Sequence, residues 1–325
     1  MLFDTHAHYD DERFDEDRDT LLASMPENNV GLILNPGCDV ESSRKAVSYA
    51  NKYPFVYAAV GIHPENIEDG WEADLETIRA LAQNESKVRA IGEIGLDYYW
   101  EKDERARARQ QVVFARQMEL ARALHLPVIV HDRDAHADSM EITRRYPDVI
   151  GVYHCYAGHV EMARELLKLG YYLSFTGVIT FKNAKKAKEV IREVPIERLM
   201  IETDSPYMAP EPFRGRRKSS LYVHRMAETI AEIKGISAAE VERITTENGR
   251  QLFGISGSDR TKQGQEVKSL VPVLYGGDGG DRTHDLLTAS QTLSRLVRLH
   301  TPLNRVKRAL QYAGNPKTHP ECLSL

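Results

Sequence analysis

The chain has 325 residues, a formal net charge of −5 and 42% hydrophobic residues, enough to bury one large core or two ordinary ones. Its apolar residues come in short runs, none near the roughly 18 needed to span a membrane, and Asp4 and His6 interrupt the N-terminus before a signal-peptide pattern can form. Cys38, Cys155 and Cys322 are far apart and form no CxxC pair, which excludes a disulfide framework and fits a cytoplasmic protein.

Eight strands are expected in chain order: LFDTHAH (2–8), GLILNPG (31–37), VYAAVGIHP (56–64), VRAIGEIGLD (88–97), PVIVHDR (127–133), GVYHCY (151–156), YYLSFTG (171–177) and LMIETDS (199–205). Between them lie amphipathic stretches such as ESSRKAVSYANKY, DERARARQQVVFARQMELARALH and HVEMARELLKLG, the last stopped by Gly170. Two more, SLYVHRMAETIAEIKG and SAAEVERITTENGRQLF, follow the last strand and close the domain near Gly254. Strands alternating with helices predict parallel βαβ units. Eight units in about 250 residues is the size of an α/β (β/α)8 barrel, the TIM barrel. A doubly wound open sheet is the alternative, but it usually carries a glycine-rich phosphate loop after its first strand, and none is present. The barrel is therefore assigned to residues 1–255.

Residues 256–325 change character. They hold GGDGG and no sustained hydrophobic period. Ten of their charged residues are basic and six acidic, so residues 1–255 carry −9 of the overall −5. The stretch GGDGGDRTHDLLTASQTLS resembles spurious read-through ends. The segment is expected to be a disordered or non-native tail.

The polar residues on the strands converge. Period-2 alternation aims Asp4, His6 and His8 to one side of the first strand. Glu93 lies late in the fourth strand, His131 in the fifth, His154 in the sixth and Asp204 in the eighth, where Glu202 shares its face. Each follows an apolar run, at the end of the strand where a barrel collects its chemistry. One His at a strand end is a weak signal, and so is HxH. The set of six recurring over five strands is strong. Four imidazoles and two carboxylates suit zinc, manganese or similar divalent ions, and the carboxylates also admit magnesium. His6, His8, Glu93 and Asp204 would hold one ion. His131 and His154 would hold a second, with Glu93 bridging through its two oxygens. Two divalent ions outweigh two carboxylates, so the mouth favours an anion such as a phosphodiester. A water activated by the metals is the expected nucleophile, and Asp204 would orient it or take its proton.

These motifs resemble a known family. FDTHAHYD, GIHPE, GEIGLDYYW, HDRDA, HCYAG and ETDSPYMAP, in this order and at these separations, are similar to the TatD family of metal-dependent hydrolases over about residues 1–255. The resemblance implies a TIM barrel, two divalent metals (Mg, Mn or Zn) and deoxyribonuclease activity, with some members linked to 3′–5′ exonuclease action or to D-aminoacyl-tRNA deacylation. It implies the same ligands, His6, His8, Glu93, His131, His154 and Asp204. The chain departs from the family at Asp132, where HSRDA is common, at CYAG, where CFSG is common, and at RGRRKSS, where RGKRNEP is usual. The last departure bears on any substrate contact from that loop.

Around this cluster, His63 completes neither metal set and is expected to contact a phosphate, the alternative being a cap on the loop before Pro64. Arg133 would clamp phosphate oxygens or pair with Asp132 or Asp134. Arg214, with Arg216, Arg217 and Lys218, forms a basic loop suited to steering a polyanion. Tyr98, Tyr99 and Trp100 would stack on unpaired bases, with packing beneath a loop expected for at least one. The function expected is a divalent-metal deoxyribonuclease acting on single-stranded DNA or 3′ ends, with Glu93 and Asp204 as catalytic residues. The alternatives are an acyl or amide hydrolase, including a D-aminoacyl-tRNA deacylase, and a metal-stabilised binding module without turnover.

Overall fold

The computed structural model describes residues 1–256. The expected tail therefore lies, from residue 257 on, outside the described residues. Eight parallel strands follow one another in chain order around a single sheet: β1 (Leu2–Asp4), β2 (Val30–Pro36), β3 (Val56–Val60), β4 (Val88–Asp97), β5 (Val128–Arg133), β6 (Gly151–Tyr153), β7 (Tyr172–Phe175) and β8 (Leu199–Ile201). The helices between and after them are α1 (Arg18–Ala23), α2 (Val40–Lys52), α3 (Trp71–Asn84), α4 (Glu104–Leu124), α5 (His136–Arg144), α6 (Val160–Lys168), α7 (Lys185–Glu193), α8 (His224–Lys234) and α9 (Ala238–Phe253). This is a (β/α)8 TIM barrel.

The helix ends follow local chemistry. Asp39 caps α2 by accepting from Ser42 N while Ser42 Oγ accepts from Asp39 N, a reciprocal box that satisfies two orphan donors. Asp103 caps α4 and Ser237 caps α9 in the same sense. Gly235 and Gly254 end α8 and α9 in the left-handed conformation. SLYVHRMAETIAEIKG is not one helix: a short 3-10 turn at Ser220–Tyr222 precedes α8.

Alternate residues of the strands enter two clusters, as a pleated sheet buried on both faces requires. One, with Ile33, Ala58, Ile91, Val128 and Leu173, packs under the helices. The other, with Leu34, Ala59, Ala90, Ile129 and Tyr172, takes its remaining residues from the strands, the end of α9 and Ile255 just past it, so it fills the barrel. Phe253 closes it from below, edge-on to Phe3 with ring centroids 6.0 Å apart.

Several strands are shorter than expected at their C-terminal ends. The first stops at Asp4 rather than His8, because beyond it the chain divides its hydrogen bonds between two neighbours. Ala7 N donates to Leu34 O on the β2 side (3.1 Å), and His8 N donates to Ser205 O on the β8 side (2.7 Å). Asp204 N in turn donates to His6 O (2.8 Å). These bonds draw the first and last strands together. At the ends of β6 and β8 the chain leaves the sheet through left-handed residues, Cys155 (φ 42°) and Asp204 (φ 53°). Such conformations cost about 1–3 kcal/mol outside glycine and concentrate where a site needs a side chain re-aimed.

Candidate metal centre

Glu93 is the middle of the cluster, and a bulge aims it. The register of β4 against β5 shifts between Ile91 and Ile94, which turns Glu93 inward from the middle of the strand rather than from its end. The glycines on either side make room. A Cβ on Gly92 would lie 2.7 Å from Ile129 Cβ, and one on Gly95 only 1.9 Å from His131 O.

The two oxygens of Glu93 face two different sets of nitrogens. On one side, His6 Nε2 and His8 Nε2 are 3.2 and 3.5 Å from Oε2 and 3.0 Å from each other. Asp204 Oδ1 lies 3.7 and 3.4 Å from the same two nitrogens. On the other side, Oε1 is 2.8 Å from His154 Nε2 and 3.0 Å from His131 Nδ1, themselves 3.2 Å apart. Ligand bonds of about 2.0–2.2 Å put neighbouring ligand atoms roughly 3–3.6 Å from one another, so the imidazoles and Glu93 oxygens of both sets lie near the spacing of a coordination shell, with Asp204 at the outer edge of the first. Among the described residues three overlapping groups bring ligand-type atoms within 4.8 Å of one another: His6, His8 and Glu93; His63, Glu93 and His131; and His6, His154 and Glu202.

Three side chains that the sequence reading gave no role stand beside these rings. Asp97 Oδ2 lies 3.0 Å from His131 Nε2. It takes that proton and leaves Nδ1 as a lone pair facing the cluster, the carboxylate–histidine pairing common behind metal ligands. Glu202 Oε1 lies 3.5 Å from His154 Nδ1 and accepts Cys155 N (2.7 Å). Cys38 Sγ sits 3.8 Å from Glu93 Oε2 and 3.9 Å from His8 Nδ1. The sequence did carry a signal for Asp97, an acidic residue closing the same strand as Glu93.

His63 departs from its expected place outside both sets, since its Nε2 comes within 3.4 Å of Glu93 Oε1. Its Nδ1 accepts from Glu65 N (3.2 Å), so the loop cap holds as well. A neutral imidazole that accepts at Nδ1 carries its proton on Nε2. His63 is thereby a donor toward Glu93 rather than a lone-pair ligand. Asp4 does not face the cluster. It accepts from Thr203 N (2.8 Å) and Thr203 Oγ1 (2.5 Å), and burial raises its pKa to about 6 against those bonds.

Charge in the cluster is tightly coupled. Burial works against ionisation of Glu93, yet His154, His63 and His6 hold its carboxyl well below the usual range. Burial also disfavours a charged His131, but hydrogen bonds it donates to Asp97 and Glu93 overcome it and push the imidazole up to about 9. His154 and His8 are raised against their burial, His154 chiefly by Glu93 and His8 by Cys38 and Asp204. His6, the most enclosed, is lowered by burial and by His154. The ionised carboxylates Glu93 and Asp204 thus supply a negative potential that favours positive charge at one point, carried by the imidazoles or by a bound cation that displaces their protons.

The surrounding expectations divide. Tyr98 is engaged in packing: its hydroxyl donates to Asp138 (2.7 Å) and accepts from Gln111 (2.8 Å), with Arg107 over its ring. Tyr99 and Trp100 are 40% and 48% exposed, and Arg133 lies over the Tyr99 ring at 4.0 Å. Arg214 is exposed, with its guanidinium 4.8 Å from the Phe181 ring. Of the rest of the expected basic loop, Arg216 is exposed, whereas Arg217 is bound to Asp17 and Lys218 is fully buried with Nζ donating to Met208 O (3.1 Å). His159 caps α6, and His136 pairs with Asp132 at 2.8 Å.

A nearly closed parallel barrel with imidazoles and carboxylates gathered at its mouth belongs to the metal-dependent hydrolases. The family model "TatD related DNase" matches residues 3–254. The chain is 45% identical to the uncharacterized metal-dependent hydrolase YabD of Bacillus subtilis over 258 residues, 79% of this chain and 100% of that protein. It is 38% identical to the uncharacterized metal-dependent hydrolase YcfH of Escherichia coli K12, over 79% of this chain and 97% of the other. The crystal structure of YjjV, a TatD homolog from E. coli K12, superposes with a TM-score of 0.73 at 31% identity, covering 78% of this chain and 98% of that one. The chain belongs to the TatD family of metal-dependent hydrolases. Among the described residues no helix is long and apolar enough to cross a membrane.

Proposed function

We propose that this chain is a cytoplasmic deoxyribonuclease that hydrolyses phosphodiester bonds of DNA, single-stranded or at 3′ ends, using two divalent ions (Mg, Mn or Zn). The observation that carries the reading is the split of Glu93: Oε2 serves the His6–His8–Asp204 set and Oε1 the His131–His154 set. Bound there, the ions would acidify a water and neutralise the charge that develops on a phosphoryl oxygen.

The chain's own residues do the rest. Asp204, held ionised against its burial by His8 and His6, takes the proton of the attacking water. His63 presents Nε2–H beside Glu93, where it meets a phosphate oxygen. Arg133, at the mouth over Tyr99, offers a planar guanidinium to the same phosphate. Arg214 attracts the strand from the rim, and Tyr98 holds the loop on which Tyr99 and Trp100 stand. The family model's description names a DNase, which supports this substrate class.

The test uses the metal-loaded full chain on a 3′-labelled single-stranded oligonucleotide, with a D-aminoacyl ester in parallel. Metal-dependent shortening of the strand is expected. Absence of cleavage with metal shown to be bound rejects the proposal, and turnover of the ester alone selects the deacylase. Glu93→Ala is expected to reduce cleavage by at least about a hundredfold while circular dichroism stays that of the parent.

A further inference from the structure

The loop from β7 to α7 carries a feature the cluster does not explain. Between Gly177 and Glu189 the chain has four lysines, Lys182, Lys185, Lys186 and Lys188, and no acidic residue. Lys182, Lys185 and Lys186 are exposed, in a domain whose net charge is negative. Parallel strands place this loop at the C-terminal mouth, and contacts join it to the β8 loop. Arg214 lies over Phe181 at 4.8 Å, and Glu211 N donates to Thr180 Oγ1 at 2.9 Å. Arg214 and Arg216, both exposed, therefore extend the same patch. Elsewhere on the barrel, cations such as Arg144 and Arg164 are paired with Glu165 and Glu193. Among the described residues, no carboxylate lies within ion-pair distance of these four lysines or of Arg214 and Arg216, and the acidic neighbours flanking them are Glu189 and Glu211.

The patch also has a definite place. With strand order β1 to β8, the β4 loop that carries Tyr99 and Trp100 lies across the mouth from the β7 and β8 loops. The metal centre lies between them and is sunk, with Glu93 only 4% and His154 6% exposed. The base of the lysine loop reaches the turn after β6, since Cys155 Sγ is 3.7 Å from Thr176 Oγ1.

We infer that a single DNA strand crosses the mouth with a fixed polarity of contacts, its phosphates along Lys182, Lys185, Lys186, Arg214 and Arg216 and its unpaired end base on Tyr99 and Trp100. This rests on the deoxyribonuclease reading. A sunken centre takes a phosphate only from a backbone that can bend into it. Contacts to bases on one side and to phosphates on the other require bases that are not paired. A duplex meets neither condition.

Each phosphate contact to a single strand adds about 0.7 to the slope of log affinity against log salt. The test compares kcat/KM for a dT12 oligonucleotide with that for bis(p-nitrophenyl) phosphate on the metal-loaded full chain, over a range of KCl. Lys182→Gln/Lys186→Gln is expected to lower the ratio of the two and to flatten its salt slope by roughly 1.4. Lys168→Gln/Arg192→Gln, two exposed cations at the opposite end of the barrel, removes the same charge and should leave the slope alone. Trp100→Ala is expected to raise KM for dT12 by at least about fivefold. An unchanged slope in the first variant, or equal flattening in the second, overturns the phosphate track. An unchanged KM in Trp100→Ala overturns the stacking. Turnover of the small diester with none of dT12 overturns the inference and leaves a metal hydrolase. No turnover of either with metal bound rejects the reading beneath it, and the inference with it.

Discussion

At the scale of single residues, the hydrogen-bond partner behind each ring decides what the ring can do. His63 and His131 both face Glu93 Oε1, at 3.4 and 3.0 Å. One accepts a backbone N–H and so donates, whereas the other gives its far proton to Asp97 and so offers a lone pair. The residue types and their strand positions were legible in the sequence; of the partners only Asp97 left a trace there, as the acid closing the strand of Glu93, because the Glu65 backbone and the Glu202 carboxylate act through geometry that spacing does not encode. His131, raised to about 9 by hydrogen bonds to Asp97 and Glu93 that outweigh its burial, must lose a proton before a cation takes Nδ1. Manganese affinity is therefore expected to rise with pH up to about 9, by about tenfold per unit where one proton is displaced. Calorimetry in buffers of different ionisation enthalpy reads this directly, and a pH-independent affinity would refute it. Lys218 makes a second case. In sequence it belongs to a basic run and reads as solvent-facing, yet the loop folds it inside. Burial lowers its pKa from 10.5 to about 8, against the attraction of Asp4 and Asp204. A folded-state pKa below the unfolded one means that the charged lysine opposes folding at every pH below about 8, and that the opposition fades between 8 and 10.5. Lys218→Met is accordingly expected to stabilise the protein by up to about 3 kcal/mol at pH 7, less the bond to Met208, and by little above pH 10. Denaturant titrations at the two pH values check the sign.

At the scale of elements, alternation of β-branched runs with amphipathic stretches was enough to locate all eight strands, with β4 read at its full length. The overruns are longest at C-terminal ends; at N-terminal ends only Pro127 and Tyr171, one residue each, fall outside β5 and β7. Residues such as His6, His154 and Asp204 continue an extended pattern in sequence, while in space the chain is already turning into the mouth. Propensity reports which residues fit a pleated surface and says nothing of where the neighbouring strand stops. The bulge in β4 was equally hidden. GEIG reads as a strand weakened by two glycines, whereas the glycines are there because β5 approaches too closely for a side chain. Gly95→Ala would place a Cβ 1.9 Å from His131 O on a residue at φ 139°. It is expected to cost about 3 kcal/mol or more and to weaken metal binding with it, as a melting curve and a metal titration on the same sample would show. A variant that melts like the parent would show that β5 can yield without cost.

At the scale of the whole molecule, the barrel gathers its chemistry at one end and sets charge against aromatic surface around the rim. The basic arc of the β7 loop was not legible as a feature, because four lysines leading into an amphipathic helix look like an ordinary solvated face until topology places them at the mouth. Cations that bind the folded centre and not the unfolded chain must raise the melting temperature. At a hundred times the dissociation constant the gain is about 2.7 kcal/mol, or roughly 5–10 °C for a domain of this size. Differential scanning calorimetry with and without manganese tests it, and equal midpoints would mean that no cation is held. The bonds from Asp204 N to His6 O and from His8 N to Ser205 O carry a consequence for biosynthesis. The histidines emerge from the ribosome some two hundred residues ahead of their aspartate. A nascent chain therefore cannot assemble the first nitrogen–oxygen set until almost the entire barrel has been made, and a product truncated before β8 would be hydrolytically inert.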